Sequence, residues 1–317
     1  MPEKKVNIKF EDKRGSVVVL VAAAMFVLLG FVAMVTDIGL LYLTRTRLAN
    51  AADAAALAGA QELPVDPQRA ASVAEEYAES NGVRPEEVGI GVAPDCRSVT
   101  VEARRAVDFI FARALGIVKG RVRAAATAAV YPLAGARGVV PFSIEEQELV
   151  FGRQYVLKEG AGCGSATLGD DGRMYGWFGA LDLGGKGDGA SEYRDNVING
   201  CSSMVRVGDV IDVETGNMSG PTADGVLCRI ARCQDGCTFE SFRRDCPRLV
   251  IVPVVRYLGV SGDKKKVEVR GFAAFFLEGV EGRGRDNNVV GRFVRTVYPG
   301  EAGDALDYGV EVVKLVR

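Results

Sequence analysis

Cys228, Cys233, Cys237 and Cys246 form the densest group of reactive side chains in the chain, separated by four, three and eight residues. Zinc ribbons pair their ligands in Cys-x2-Cys knuckles so that two thiolates reach one ion, and these gaps supply no such knuckle. Outside the cytoplasm, disulfides are the expected chemistry, with no metal bound. Cys228, Cys233 and Cys237 are placed on or just after one helix, and Cys246 just before a strand beginning near Leu249. A bridge to Cys246 would close a short loop over Gln234-Asp235-Gly236. The seven cysteines of the chain leave at least one thiol free or intermolecular, and the connectivity stays open.

Other chemistry is scarce. The chain has no histidine, which removes Ser-His-Asp and Cys-His mechanisms and the commonest metal ligand. Gly169-Asp170-Asp171-Gly172 and Gly184-Gly185-Lys186-Gly187-Asp188-Gly189 invite comparison with calcium and phosphate loops. Neither completes an EF-hand run, and Lys186 is followed by Gly187 rather than the Ser or Thr of a Walker sequence. Both are expected to be tight turns. Gly216 to Thr222 could present a Ser/Thr nucleophile, but no base accompanies it, and a turn feeding a helix capped by Thr222 accounts for the string. No catalytic residue, cofactor or metal site is expected. Lys+Arg total 39 against 41 Asp+Glu, so there is no basic excess for binding nucleic acid.

The element that must position everything else lies at the N-terminus. No charged residue occurs from Gly15 to Thr36, and Val17 to Val35 is nearly all apolar. A spanning helix needs about 20 such residues. Lys4, Lys5, Lys9, Lys13 and Arg14 precede the run, while only Arg45 and Arg47 follow closely, which places the N-terminus in the cytoplasm and the bulk of the chain outside. A cleaved signal fits less well, because its apolar core is about 7–15 residues and Ala58-Gly59-Ala60 lies far downstream. The helix is expected to continue unbroken to about Glu62, before Pro64. Its outer half is alanine-rich, a surface that lets another helix or a sheet approach closely. Asp37, Ala51 and Ala55 are the candidate contact residues there, Asp37 facing either a partner helix or headgroup water.

Arg14-Gly15-Ser16, the apolar run, Asp37-Ile38-Gly39 and Leu48-Ala49-Asn50-Ala51-Ala52-Asp53-Ala54-Ala55-Ala56-Leu57-Ala58-Gly59-Ala60 together resemble the N-terminal signature of TadG-like proteins of the Tad machinery, which assembles Flp-type pili. Trp177-Phe178-Gly179-Ala180-Leu181-Asp182-Leu183 and Gly216-Asn217-Met218-Ser219-Gly220-Pro221-Thr222 are similar to ectodomains of some of these proteins. The resemblance implies a role in pilus assembly. Two family features are missing: with Gly15 as a pilin-type cleavage glycine, the fifth mature residue is Leu20 rather than glutamate, and no Asp-x-Ser-x-Ser metal motif occurs, Asp95-Cys96-Arg97-Ser98 being the nearest string.

After Pro64-Val65-Asp66-Pro67, a short helix is expected with Ala70, Val73, Ala74 and Tyr77 on one face and Asn81-Gly82 as its stop. Strands follow at 88–92 and 99–103, then a short helix near Phe109 to Leu115 closed by Gly116, and a strand from Val122 to Val130. Pro132 to Gly138 reads as a linker. Later strands are expected at 249–255, 266–277, 289–297 and 309–316, with helices at 191–198 and 222–232. The fold class is α+β, with a long N-terminal transmembrane helix, a small pilin-like α/β module and a larger β-rich ectodomain. The expected divisions are 1–63, 64–132 and 139–317.

The expected function is a non-enzymatic, single-pass component of a Tad/Flp-type pilus assembly or secretion apparatus in the cell membrane. Its partners would be the membrane and pilin or platform helices, with neither nucleic acid nor small-molecule substrate. The alternative is a membrane-anchored ectoenzyme, a hydrolase working without histidine; a pocket of converging carboxylates would favour it.

Overall fold

The computed structural model describes residues 14–159, 167–184, 189–214, 218–261, 264–282 and 287–316. The basic lead before Arg14, Cys163, the Gly185 to Asp188 loop and Gly216-Asn217 lie outside the described residues.

Helix α1 (Arg14–Ala60) is continuous for 47 residues, about 70 Å at 1.5 Å per residue. Its residues 17–32 are exposed throughout, and Leu20, Phe26, Leu29 and Val35 are each more than 60% exposed. Its second half buries Leu48, Ala51, Ala52, Ala55, Ala56 and Ala60. These recur at three- and four-residue intervals and so form one stripe.

Helix α2 (Pro67–Ser80) starts where Asp66 accepts the amides of Gln68 and Arg69, with Pro67 in the first turn, and it is capped by Asn81. It buries Ala70, Ala74 and Ala78, leaving Tyr77 exposed. The face therefore differs from the expected one, because only methyl-sized groups fit against α1. A Cβ on Gly59 would lie 2.7 Å from the Ala70 carbonyl oxygen and 2.9 Å from the Ala74 Cβ.

The stripe of α1 also rests on a sheet of β1 (Val88–Val92), β2 (Ser98–Asp108) and β3 (Lys119–Ala136). These pair antiparallel with Val88 opposite Ala103 and Arg104 opposite Arg123. Between β2 and β3 a 3-10 turn at Ala112–Leu115 ends on Gly116, whose φ of 84° needs no Cβ. The segment expected as a linker is strand through Ala136, since Leu133 and Ala136 are buried.

The second sheet contains β4 (Phe142–Glu145), β5 (Gln154–Glu159), β6 (Thr167–Leu168), β7 (Met174–Ala180), β9 (Val210–Asp212), β10 (Leu249–Ser261), β11 (Lys264–Glu281) and β12 (Asn288–Val294). Its order is β10-β4-β7-β5-β12-β11-β9, and β10 also pairs with β11, which closes six strands into a ring. Val252 and Phe275 pack in one cluster while Ile251, Phe272 and Phe276 pack in another. Strands buried on both faces read as continuous apolar runs, as here.

Helices α3 (Gly189–Asn199) and α4 (Ser219–Arg232) pack against each other. Thr222 is not the cap of α4. The helix begins a turn earlier, and the Thr222 hydroxyl bonds back to the Met218 carbonyl at 2.8 Å and meets Tyr193 Oη at 2.9 Å. Pro221 fits in that first turn, where its missing N–H costs nothing.

The expected strand at 289–297 is interrupted, for after β12 the chain changes sheets. Strands β13 (Thr296–Val297) and β15 (Val310–Val316) join the first sheet, β15 antiparallel to β3 with Lys314 opposite Ala129. Strands β8 (Val205–Arg206) and β14 (Glu301–Ala302) pair with the far end of β3. The chain thus crosses between the two sheets more than once. Arg97 and Glu311 form an ion pair at 3.1 Å where β15 meets the first sheet.

Candidate functional site

Asp37 is 5% exposed at the point where α1 leaves its apolar run. Its carboxylate accepts the amides of Ile110 at 2.9 Å, Phe111 at 3.1 Å and Ala112 at 2.7 Å. Those amides open the 3-10 turn and would otherwise lack partners. Sequence reasoning offered Asp37 a partner helix or headgroup water; its observed partner is a loop of its own chain. The only sequence hint was the Phe109 to Leu115 segment, which had no link to position 37.

Ala51 and Ala55 are 1% and 0% exposed. They belong to one cluster with Ala70, Ala74, Val99, Val101 and Val130. The small-sided surface does admit a helix and a sheet, but both come from this chain. The stripe is covered and is not offered to another protein.

The far end of α1 is gripped from the second half of the chain. Arg244 Nη2 donates to the Gln61 carbonyl at 3.0 Å and to Glu62 Oε1 at 2.9 Å, and Nη1 reaches Gln61 Oε1. Arg244 sits in the irregular segment between α4 and β10, which also carries the cysteines. Another arginine fixes α4: Arg229 is buried, donates to the carbonyls of Val197 and Pro247, and burial lowers its pKa to about 10.

Three of the four candidate cysteines converge. The sulfurs of Cys233, Cys237 and Cys246 lie within 4.8 Å of one another, with Cys233 and Cys246 3.6 Å apart. Cys228 is not part of the group. Backbone amides, that of Cys237 foremost, lower the pKa of the Cys233 thiol, whereas burial raises that of Cys246. All three are free thiols in this structure, and a disulfide would need the sulfurs of a pair at roughly 2.05 Å. Three convergent sulfurs are also a donor set for a thiophilic ion, although no fourth ligand joins them among the described residues.

Of the remaining strings, Gly169 to Gly172 lies wholly among the described residues. Gly169 to Gly172 is a hairpin turn in which the Gly169 amide donates to the Arg173 carbonyl, and Asp171 accepts the Tyr175 hydroxyl at 2.7 Å. Asp182, Glu192 and Glu214 line a concavity of about 10 Å³, room for no more than a water.

The long helix and its grips are thus the feature around which the chain is organised. One helix, within Val17–Ala60, is long and apolar enough to cross a membrane. Residues 15–62 match a family model described as "Putative Flp pilus-assembly TadE/G-like". The chain carries a TadE/G-like segment. No curated protein and no solved structure matched. The TadE/G-like segment is α1 almost from end to end, and it stops at Glu62, the residue held by Arg244. It points to pilus assembly, and to other components of that machinery as partners.

Proposed function

We propose that this protein is a non-enzymatic, single-pass component of a Tad/Flp-type pilus assembly or secretion apparatus. It would have a cytoplasmic N-terminus and carry its two sheets outside the cell. The observation that carries the reading is the coincidence of the TadE/G-like match with a helix whose first half is bare and whose second half is built into the fold. Because Ala51 and Ala55 are already covered, contact with pilin or platform helices falls to the bare half. Gly30 there has no neighbouring atoms within 4 Å of a built Cβ, and small residues let helices pack closely in lipid. The sheets would organise or present the fibre outside, and the paired cysteines would staple the α4–β10 segment.

Photo-crosslinking from Met25 and Phe26 in intact cells tests the role. Adducts with pilin or platform subunits are expected, and adducts with lipid alone would remove the proposed partners. Tag accessibility on the same cells tests the orientation. A protected C-terminal tag beside an accessible N-terminal one would reverse it.

A further inference from the structure

The loop joining β2 to β3 exposes a cluster of large apolar side chains. Within nine residues, Ile110 is 60% exposed, Phe111 45%, Leu115 82%, Ile117 54% and Val118 48%. Such a cluster on a loop tip marks a surface that meets something apolar. Its position is fixed by the Asp37 carboxylate, which holds the amides of residues 110–112 within 2.7–3.1 Å. Gly120, at the return of the loop, lies against Leu41 of α1 and Phe109. The loop is therefore pinned beside position 37, one residue beyond the uncharged run 15–36. That run of 22 residues is about 33 Å long and matches a hydrocarbon core of about 30 Å.

Charge agrees with the same placement. Residues 104–123 contain six basic side chains (Arg104, Arg105, Arg113, Lys119, Arg121 and Arg123) against Asp108. Arg105 is taken up by the buried Glu87, Arg104 and Arg123 share Glu102, and Asp108 lies 3.7–3.8 Å from Lys119 and Arg113, which leaves a net positive excess around the loop base. Arg104, Arg105, Arg121 and Arg123 line one shallow concavity on the strands behind the loop. Along a strand at about 3.3 Å per residue, Lys119 and Arg121 lie within roughly 7 Å of the loop base, about the depth of one headgroup layer, and Arg123 lies beyond it. Apolar tips ahead of a basic collar is the pattern of an interfacial membrane contact.

We infer that residues 109–121 form a phospholipid-binding loop, whose apolar tip enters the bilayer beside α1 while the exposed Arg113, Lys119 and Arg121 contact lipid phosphates. The inference rests on α1 being the membrane span and holds for either orientation, since the loop and the outer half of α1 lie on the same side. The loop sets the height of the folded part above the bilayer, and Asp37 acts as the latch between the two membrane contacts.

The test uses full-length protein in vesicles of phosphatidylcholine and phosphatidylglycerol whose acyl chains are brominated, which quench nearby tryptophan. Phe26→Trp reports on the span, Leu115→Trp on the loop, and Leu306→Trp, at an exposed site distant in sequence, on the background; wild-type emission from Trp177 is subtracted. Loss of emission from both Phe26→Trp and Leu115→Trp, with Leu306→Trp unaffected, is the expected result. Quenching of Phe26→Trp without Leu115→Trp overturns the loop contact and leaves a protein partner as its occupant. Absence of quenching at Phe26→Trp overturns the span itself. A circular-dichroism melt of each variant ensures that only folded chains are compared.

Discussion

Arg244 Nη2 donates to Glu62 Oε1 at 2.9 Å across 182 positions of sequence, so the segment that carries the thiol cluster also holds the last residue of the TadE/G-like match. The end of the anchor helix and the ring of strands are mechanically joined at this contact. Arg244→Ala should change the global melting temperature little, because partly exposed ion pairs contribute about 0–1 kcal/mol. It should instead speed amide exchange in residues 233–248, read by hydrogen–deuterium exchange. Unchanged exchange would show that packing of Phe239 and Phe242 alone fixes the segment.

The thiols of the same segment give a second prediction. Non-reducing peptide mapping should find one bridge within Cys233, Cys237 and Cys246, with Cys233–Cys246 the pairing its 3.6 Å separation favours. Cys228 and the exposed Cys96 should alkylate without reduction. A staple of this kind contributes about 2–4 kcal/mol, so Cys246→Ser should lower the melting temperature. Stoichiometric zinc with three alkylatable thiols would identify an ion site in place of the bridge.

The small-residue stripe gives a third. Gly59→Ala places a methyl 2.7 Å from a backbone oxygen of α2, and Ala55→Leu adds volume at a fully buried site. Each should destabilise the fold by about 1–3 kcal/mol, while Ala22→Leu, on the bare half of α1, should not. Impaired piliation in Ala51→Leu or Ala55→Leu would then follow from loss of fold. Melting temperatures equal to wild type in both Gly59→Ala and Ala55→Leu would refute tight packing.

Acid stability gives a fourth. Glu87 is buried between Arg105 and Arg84, at 2.6 Å from each, and the Arg105 hydrogen bonds foremost lower its pKa from 4.5 to about 2. A carboxylate depressed on folding stabilises the native state above its unfolded pKa. The contribution therefore fades as pH falls from about 4.5 through 2. Glu87→Gln should cost on the order of 2 kcal/mol near neutral pH, and its melting temperature should decline less steeply than wild type between pH 5 and 2. Parallel declines would exclude Glu87 as an acid-sensitive group.

Much of the architecture was legible locally. The uninterrupted apolar run, Asp66-Pro67 at the start of α2, the turn at Gly116 and the valine-rich strands late in the chain carry their own signals in adjacent residues. The resemblance of the N-terminal string to TadG-like proteins was likewise a matter of contiguous sequence. Helix and strand periods marked the helices and the long strands, though not the short strands between residues 142 and 212 nor which faces are covered.

The rest depended on partners remote in sequence. Asp37 is answered by amides 73 to 75 residues away, Arg244 by residues about 180 away, and β15 by a strand from the first half of the chain. Leu133 to Ala136 is too small-sided to announce a strand and becomes one because β14 and β8 supply its hydrogen bonds. The same alanines of α1 suit a lipid-facing helix interface or an internal core, because a methyl group fits either. Sequence by itself determined that α1 has a bare apolar half and a small-sided half. Only the tertiary structure decided that the second half is closed by its own chain, since burial depends on which remote surface arrives to cover it.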